Sequence, residues 1–377
     1  MITPAGYLLR ERGEFGGSDL PILTVVSEYG VRIRDLEAGG RAIGKDLAGY
    51  RRVRQGDLVV NRLWARFGAY GVSEFDGLIS PAYWILQPDS SKVDGRFLHS
   101  LLRSSRYLAE IRRLSKDMPP NGFDLPWDLF KRMHLTLPSL PKQRAIADYL
   151  DTETARIDAL IQKKQRMIEM LDERWAASRH EAVLRGVNPL TGSGTIPVGW
   201  DCPQLGVAIK LQRGHDLPFE SRRDGRIPVV SSGGISGYHD EPACQGPAVV
   251  TGRYGTVGDV YFIEEPCWPL NTTLYVTDFC GNYPRWVAYL LESIPLDAES
   301  EKSAVGGINR NVIGKLRIPR PPLDEQVMLA NSLLREQLKH RKARELLVAQ
   351  HDLLLERRQS LITAAVTGDL EIPGVTE

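Results

Sequence analysis

The sequence of 377 residues lacks the features of a membrane or exported protein. No stretch approaches the ~18 consecutive apolar residues that a membrane-spanning helix needs. The first fifteen residues include Arg10, Glu11, Arg12 and Glu14, where a secretory signal peptide would be apolar. We therefore expect a cytoplasmic protein that makes no contact with a membrane.

A large net charge is also missing, because 48 Lys and Arg residues balance 47 Asp and Glu residues to give a formal charge of +1. The bulk charge therefore indicates no preference for nucleic acid or for an acidic surface. Only residues 1–141 are basic overall, with 20 basic and 16 acidic side chains. A nucleic-acid partner would have to rest on local clusters such as Arg51, Arg52 and Arg54, or Arg222, Arg223 and Arg226.

Motifs for metal, nucleotide or catalytic chemistry are absent as well. The four cysteines include no CxxC pair, so we expect neither a zinc site nor a redox motif and interpret them as small buried residues. GGRAIGKD at 39–46 contains GxxxxGK, but Asp46 stands where a phosphate loop needs Ser or Thr to hold the metal. The histidines form no HExxH motif and no ligand pair. We expect no cofactor, no metal and no catalytic activity from this chain alone.

An internal repeat is what the sequence does contain. PSLPKQ at 138–143 matches PPLDEQ at 321–326, and the same offset of 183 residues holds for about forty residues beyond it. LDER at 171–174 falls on LLER at 354–357. Upstream, QGDLVV at 55–60 resembles QGPAVV at 245–250, and the order of the chain is therefore globular unit, helix, globular unit, helix.

The helical segments carry long apolar stripes. In the first, 3-4 spacing over about forty residues without Pro or Gly predicts one amphipathic helix, with the face Leu150, Thr154, Ile157, Ile161, Lys164, Ile168, Leu171, Trp175, Ser178 and Ala182. The second supplies a matching face of Leu333, Leu347, Leu354, Leu361 and Ala365, flanked by Leu346 and Leu353 and interrupted by His340 and His351. The pair is expected to form an intramolecular coiled coil.

The order of segments predicts an α+β fold with approximate two-fold symmetry. Because the second globular unit connects the end of helix one to the start of helix two, we expect the long helices to run antiparallel. Short β-branched runs between Gly and Pro turns predict a mixed sheet in each unit. The predicted boundaries are 1–141 and 187–322 for the two similar domains, with helices at 142–186 and at 323–377, the last including a C-terminal tail.

Two similar units on a rigid spacer suit a DNA partner, since a duplex offers half-sites about one ~34 Å turn apart. Arg and Asn side chains read base edges, and Lys and Arg contact phosphates. The first unit offers such residues after its LVV strand, and the second offers them after the equivalent strand. The candidate DNA-binding residues are Arg62, Trp64, Arg66, Lys116 and Asn121 in the first unit, and Arg213, Arg253, Tyr254, Asn309 and Arg310 in the second.

The repeated PSLPKQ/PPLDEQ entry to a long helix, IDALI at 157–161, the LDER/LLER element and the closing LITAAVTGDL at 361–370 resemble the conserved regions of Type I restriction-modification specificity subunits. IPVGWDCPQLG at 196–206 resembles the opening of a target-recognition domain in that family. The resemblance covers nearly the whole chain, and its helical motifs occur twice in register.

The resemblance implies a non-enzymatic subunit whose two target-recognition domains each read one half of a bipartite site on double-stranded DNA. It also implies that the helices set the spacer and that two copies of a DNA adenine methylation subunit dock on the conserved regions, with a restriction and translocation subunit completing the complex. Methyl transfer and cleavage would belong to those partners. The implied partner-binding residues are Gln143, Glu173, Arg174, Gln326, Glu356 and Arg357.

One departure and one alternative accompany this interpretation. The first unit has no visible counterpart of 196–206, since only 26 residues precede Ser27, and we expect its domain to be trimmed or to start differently. The second unit has two surplus acids, so its DNA contacts must be local.

The alternative function is a coiled-coil adaptor that binds proteins without sequence-specific DNA binding.

Overall fold

The computed structural model describes residues 1–16, 20–27, 29–35, 47, 49–117, 122–254, 258–296 and 307–372. The chain forms two compact units, the first made of 1–165 with 349–377 and the second made of 166–348. Each unit combines small β-sheets with helices, which confirms the α+β fold class. Among the described helices, none is both long and apolar enough to cross a membrane.

The globular part of the first unit is built from short strands and three short helices. Its strands are β1 (Ile2–Pro4), β2 (Leu9–Glu11), β3 (Leu23–Val26), β4 (Gly30–Ile33), β5 (Arg51–Val53), β6 (Leu58–Asn61), β7 (Tyr70–Val72), β8 (Gly77–Ile79), β9 (Tyr83–Pro88), β10 (Lys116–Asp117), β11 (Phe123–Asp124) and β12 (His134–Thr136). Its helices are α1 (Gly95–Arg103), α2 (Ser105–Leu114) and α3 (Trp127–Phe130), and α4 (Leu140–Leu184) follows.

The globular part of the second unit repeats this plan. Its strands are β13 (Lys210–Arg213), β14 (Ile227–Ser231), β15 (Gly234–His239), β16 (Ala248–Gly252), β17 (Val260–Ile263), β18 (Trp268–Pro269) and β19 (Thr273–Asp278). Its helices are α5 (Leu205–Ala208), α6 (Pro284–Ser293) and α7 (Arg310–Ile313), and α8 (Leu323–Thr367) follows.

The two units share one sheet topology. The main sheet of the first unit has the strand order β2-β9-β6-β7, and that of the second has the order β13-β19-β16-β17, antiparallel throughout. Parallel pairing occurs between β14 and β18 and at the Ile22–Leu78 bridge, so both units also mix strand directions. The duplicated sequence therefore encodes a duplicated fold.

The central strand of each main sheet is buried on both faces. Leu58 and Val60 of β6 point into one core of the first unit, and Val59 points into another, because side chains alternate along a strand. In β16 of the second unit, Val249 points into one core and Val250 points into another. This explains why the matching LVV and AVV runs are continuously apolar.

Both long helices have 45 residues, and the second begins and ends 183 residues after the first, as the repeat predicts. After the last residue of α4, the backbone enters the left-handed region at Arg185 (φ 49°) and Gly186 (φ 76°), and after the last residue of α8 it does so at Gly368 (φ 86°). Asp324 and Glu325 lie in the first turn of α8, where acids favour the positive end of the helix dipole. Local sequence therefore sets both ends.

The predicted apolar face of α4 is the buried face. Ile157, Ile161, Ile168 and Trp175 are at most 9% exposed. On α8 the predicted face is less uniform, since Leu333 and Ala365 are buried, whereas the central leucines Leu347, Leu354 and Leu361 are half-buried. The flanking Leu346 and Leu353 are exposed.

The helices pair antiparallel inside the second unit. Ser178 on α4 donates a hydrogen bond of 3.0 Å to Glu336, and Asp172, earlier on α4, accepts one of 3.2 Å from Arg344, later on α8. His340 lies between these contacts, 2.8 Å from Asp172 and stacked on Trp175. This histidine therefore belongs to the helix interface.

The same direction of pairing holds inside the first unit. Arg358 on α8 donates two hydrogen bonds to Asp158 on α4, at 2.7 and 3.2 Å. Leu150, earlier on α4, shares a core with Ala365, later on α8. The antiparallel pair of helices is therefore stabilised here by apolar packing and by a bidentate ion pair.

The expectation that the first unit has no counterpart of 196–206 is wrong for 201–206. Ala5 and Gly6 donate backbone hydrogen bonds to Met133 and Lys131, just as Leu205 and Gly206 donate to Leu316 and Gly314. The bridges Asp201–Arg320 and Gln204–Arg317 likewise correspond to the β1–β12 pairing. Residues 1–8 are therefore the counterpart of 201–208. Sequence comparison missed this because backbone hydrogen bonds require no particular side chains.

Candidate functional site

Four of the five residues predicted in the first unit lie around one surface at the end of β6. The segment after this strand meets the β10–β11 hairpin, where Leu125 N donates to Arg62 O at 3.1 Å. The Phe67 and Phe123 rings lie edge to face at 5.7 Å, and Trp64 lies 5.4 Å from Phe67. We call this surface the first-unit patch and define it by Arg62, Trp64, Arg66, Phe67, Lys116 and Phe123.

The cations of the first-unit patch are held by acids and rings. Arg62 Nε donates to Asp124 at 2.6 Å, and the Arg66 guanidinium lies 3.7 Å above the Phe123 ring with Asp117 at 3.6 Å. Such contacts fix the direction of a guanidinium without removing its other N–H donors. Lys116 is exposed, whereas Asn121 lies outside the described residues.

The aromatic side chains of the patch face solvent. Trp64 is 58% exposed and Phe67 is 45% exposed, although side chains of this size are usually buried in a stable fold. An exposed ring beside a fixed guanidinium can stack on a nucleobase while the cation contacts a phosphate or a base edge. Sequence analysis missed Phe67 and Phe123. Phe67 directly follows Arg66 in the sequence, which was a local signal, whereas nothing local marked Phe123.

All five residues predicted in the second unit line one open cleft of about 670 Å³. We call it the second-unit cleft. Its polar lining combines three arginines with several amides, and the lining residues are Gln212, Arg213, Gly214, His215, Asp216, Arg253, Tyr254, Leu274, Gly307, Ile308, Asn309, Arg310 and Asn311. The fold therefore brings together three segments that are about forty to sixty residues apart in sequence.

Backbone hydrogen bonds fix the cleft. Arg253 donates its N–H to Thr272 O at 2.9 Å and accepts from Ile308 N at 3.1 Å, which ties the strand end to the segment before α7. The Arg253 guanidinium stacks on Tyr254 at 4.7 Å. Asn309 caps α7 by accepting from Asn311 N at 3.0 Å, leaving its amide NH₂ available to a ligand.

Further residues of the cleft were not predicted. His215 lies 3.0 Å from the Tyr275 hydroxyl, and burial raises the pKa of Tyr275. Arg213 Nε donates to Asn271 O at 3.2 Å. His215 lies shortly after β13, and Asn271 lies shortly before β19. These two strands are neighbours only in the folded sheet, so no local pattern could reveal the two residues.

The patch and the cleft occupy equivalent places in the two sheets. Arg62 follows β6 directly, and Arg253 follows β16 directly, and these are the corresponding strands of one topology. In each unit an arginine stacks on an aromatic ring at this strand end. Duplication has therefore preserved a basic and aromatic end of the sheet in both units.

The two arginine runs noted in the sequence serve the fold. Arg51 is buried and donates to Glu11 and to the carbonyl of Tyr83, while Arg54 pairs with Glu14. Arg223 forms ion pairs with two acids of its own unit. Paired cations of this kind offer less charge to a nucleic acid than their number in the sequence indicates.

Gln143 and Gln326 are buried at 1% and 2% exposure, which corrects the expectation that they contact a partner. Gln143 accepts from Asp94 N at 2.9 Å and donates to the carbonyls of Lys92 and Pro138. Gln326 accepts from Tyr283 N at 2.8 Å and donates to Pro321 O and Asn282. The repeated glutamine thus joins the start of α4 to the loop before α1, and the start of α8 to the loop before α6.

The other four residues expected to bind partners are exposed on the long helices. Glu173 and Arg174 lie on α4, and Glu356 and Arg357 lie at the corresponding positions on α8. Their exposure leaves them available to a partner.

In the described part of the chain, no three His, Cys, Asp or Glu side chains gather into a potential metal site. The Gly-rich segment 39–46 lies outside that part.

No protein-family model matches the chain, and no curated protein matches it. Among solved structures, a chain from a study of complex assembly and conformational transition of the type I restriction-modification system matches with a TM-score of 0.73 and 15% identity, covering 98% of both chains. The chain therefore shares its fold with that solved chain. This likeness extends over both units and both long helices.

Two further structures match with lower scores. The HsdS subunit from Thermoanaerobacter tengcongensis gives a TM-score of 0.48 at 15% identity, with 98% of this chain and 97% of that chain covered. The S subunit of the type I restriction-modification system from M. genitalium gives 0.44 at 14% identity, with 100% and 96% covered.

Proposed function

We propose that the chain is the DNA sequence-recognition subunit of a Type I restriction-modification complex, reading a bipartite site with one half-site per unit. The observation that carries the proposal is the equivalent placement of a basic and aromatic surface at the same strand end of two duplicated sheets. The full-length fold likeness to a chain of the type I restriction-modification system supports it.

In this proposal, Arg62, Trp64 and Arg66 read one half-site and Arg253, Tyr254 and Asn309 read the other. Lys116, Asn121, Arg213 and Arg310 complete the proposed DNA-binding set. Bidentate arginine contacts to guanine and amide contacts to adenine would give specificity, and the exposed rings would stack or pack on bases. Binding should weaken steeply with salt, because phosphate contacts release counterions.

The proposal assigns the chemistry to partner subunits. Glu173, Arg174, Glu356 and Arg357 would contact two copies of a DNA adenine methylation subunit, and a restriction and translocation subunit would complete the complex. The chain itself would bind and position DNA without a cofactor and without catalysing a reaction.

The deciding experiment is adenine-methylation mapping in a host that expresses the neighbouring methylation subunit with and without this chain. A bipartite motif that appears only with the chain is expected. If no new motif appears and the purified complex binds DNA without sequence preference, the coiled-coil adaptor is the better account.

The division of labour between the units has its own test. Arg253→Ala should degrade one half of the mapped motif and leave the other intact, whereas Arg62→Ala should have the opposite effect, each lost base contact costing ~1–3 kcal/mol. Arg113→Ala, an exposed arginine of α2 paired with Glu110, is the control and should change neither half. Loss of both halves in either single variant would contradict the proposal.

A further inference from the structure

Two cysteines that are far apart in sequence meet in the second unit. Cys244 and Cys267 form an antiparallel bridge in which each backbone N–H donates to the other residue's carbonyl, at 3.0 and 3.1 Å. Their Sγ atoms lie 3.4 Å apart. The sequence shows no CxxC spacing here, so the fold alone creates this pair.

The backbone around the pair suits a covalent bond between the sulfurs. Residues that exchange both hydrogen bonds across antiparallel segments have Cα atoms about 5.5 Å apart, inside the ~4.4–6.8 Å range of disulfides. The Sγ atoms, 3.4 Å apart, need to approach by about 1.4 Å to reach the bond length of ~2.0 Å. The two segments are held closely, since a Cβ added to Gly246 would lie 2.2 Å from Glu264 O.

The two thiols differ in access and acidity. Cys267 is fully buried, among Val230, Ala248 and Val250, whereas Cys244 is half-buried. The hydrogen bond with Cys267 holds the pKa of Cys244 below its usual range, and the same hydrogen bond together with burial raises the pKa of Cys267. Because Cys244 is the more exposed of the two, it is the thiol that an oxidant reaches first, and Cys267 is positioned to react with it next.

We propose that Cys244 and Cys267 form a reversible intrachain disulfide when the chain encounters a peroxide. The Cys244 thiolate attacks one oxygen of hydrogen peroxide, the O–O bond breaks, and the leaving hydroxide takes up a proton to become water. Cys244 is then a sulfenic acid. The Cys267 sulfur attacks the Cys244 sulfur, the S–O bond breaks, and the hydroxide leaves as water with the Cys267 proton. Two thiols have lost two electrons and two protons, and the peroxide has become two waters.

The pair is linked to the second-unit cleft through the strand that follows it. Pro269 O, two residues after Cys267, accepts from His215 N at 2.8 Å, and Thr272 O accepts from Arg253 N at 2.9 Å. The segment that starts at Cys267 thus carries two backbone acceptors that fix the cleft, and we expect the closer approach of the sulfurs to be transmitted along it. The consequence for DNA, which rests on the proposed function, is a loss of affinity for the half-site read by the second unit.

The disulfide itself is tested on the full-length chain without DNA. The protein is treated with hydrogen peroxide, quenched with catalase, alkylated with N-ethylmaleimide and mapped by mass spectrometry without reduction. We expect a linked Cys244–Cys267 peptide, alkylated Cys202 and Cys280, and full reversal by dithiothreitol. Absence of the linked peptide, or faster oxidation of Cys202 or Cys280 than of Cys244, overturns the proposal.

Single variants separate the two steps. In C267S the sulfenic acid on Cys244 should persist and be trapped by dimedone, whereas in C244S the buried Cys267 should remain a thiol. C202S serves as the control and should form the linked peptide at the wild-type rate. Equal trapping at both cysteines would contradict the assigned order of attack.

The effect on recognition is measured on the assembled methylation complex. Peroxide should reduce binding to DNA carrying the second half-site, dithiothreitol should restore it, and C244S/C267S should be insensitive. If the linked peptide forms while binding of that half-site is unchanged, the coupling to the cleft is wrong and the disulfide stands. If the reduced complex shows no sequence preference, the proposed function fails independently of the thiol map.

Discussion

Replacing the buried glutamine at the start of each long helix with methionine isolates the contribution of its amide, since the two side chains have similar volume. In Gln143→Met, the N–H of Asp94 and the carbonyls of Lys92 and Pro138 lose their partner. Each buried polar group left without a partner costs ~1–3 kcal/mol. For three such groups we therefore expect a loss of about 3–9 kcal/mol in the free energy of unfolding, a large part of the ~5–15 kcal/mol typical of a domain.

The assay combines urea unfolding with hydrogen exchange at single amides. Gln143→Met should accelerate exchange of the Asp94 amide and leave that of Tyr283 unchanged, whereas Gln326→Met should do the reverse. Gln162→Met, at an exposed position of the same helix as Gln143, should change stability by less than ~0.5 kcal/mol. A loss below ~1 kcal/mol in Gln143→Met, with unchanged exchange at Asp94, would refute the structural role of the glutamine.

Two further predictions concern the helix interface and the acid stability of the first unit. Ile168→Ala, at a 7% exposed position, should cost ~2–4 kcal/mol in urea unfolding, whereas Met170→Ala, at 56% exposure, should cost less than ~0.5 kcal/mol, and equal losses would contradict the assigned face. Burial lowers the pKa of His99 to about 3, so the folded state favours its neutral form. Stability should therefore fall by up to ~1.4 kcal/mol per pH unit as pH drops from about 6.5 towards 3. His99→Gln, which keeps an acceptor for Val72 N, should flatten this slope, and an unchanged slope would count against the assignment.

The long helices and the duplication could be predicted because their signals are local. An apolar residue every three or four positions gives a buried face whatever lies elsewhere in the chain, and Ile157, Ile161 and Ile168 lie on that face. The PSLPKQ and PPLDEQ motifs likewise indicated where the helices start: α8 begins at the predicted Leu323, whereas α4 begins and ends two residues before its predicted bounds. Repetition also identified the strands that carry Arg62 and Arg253.

The family resemblance implied the wrong role for the repeated glutamine. It placed Gln143 and Gln326 on a partner-binding surface, but both side chains use their donors and acceptors inside the fold. Burial of a polar side chain depends on whether the neighbouring backbone leaves partners for it. No sequence pattern within the helix reports where the Lys92–Asp94 loop passes.

Taken by itself, the sequence determined that there are two long helices, which face of the first is buried, and that one globular plan occurs twice, because each depends on periodicity or on self-similarity along the chain. Only the tertiary structure decided which distant residues meet: Arg213 with Arg253 and Asn309 in one cleft, Cys244 with Cys267 across one bridge. Such meetings depend on how strands order themselves in a sheet, which local side-chain chemistry does not encode.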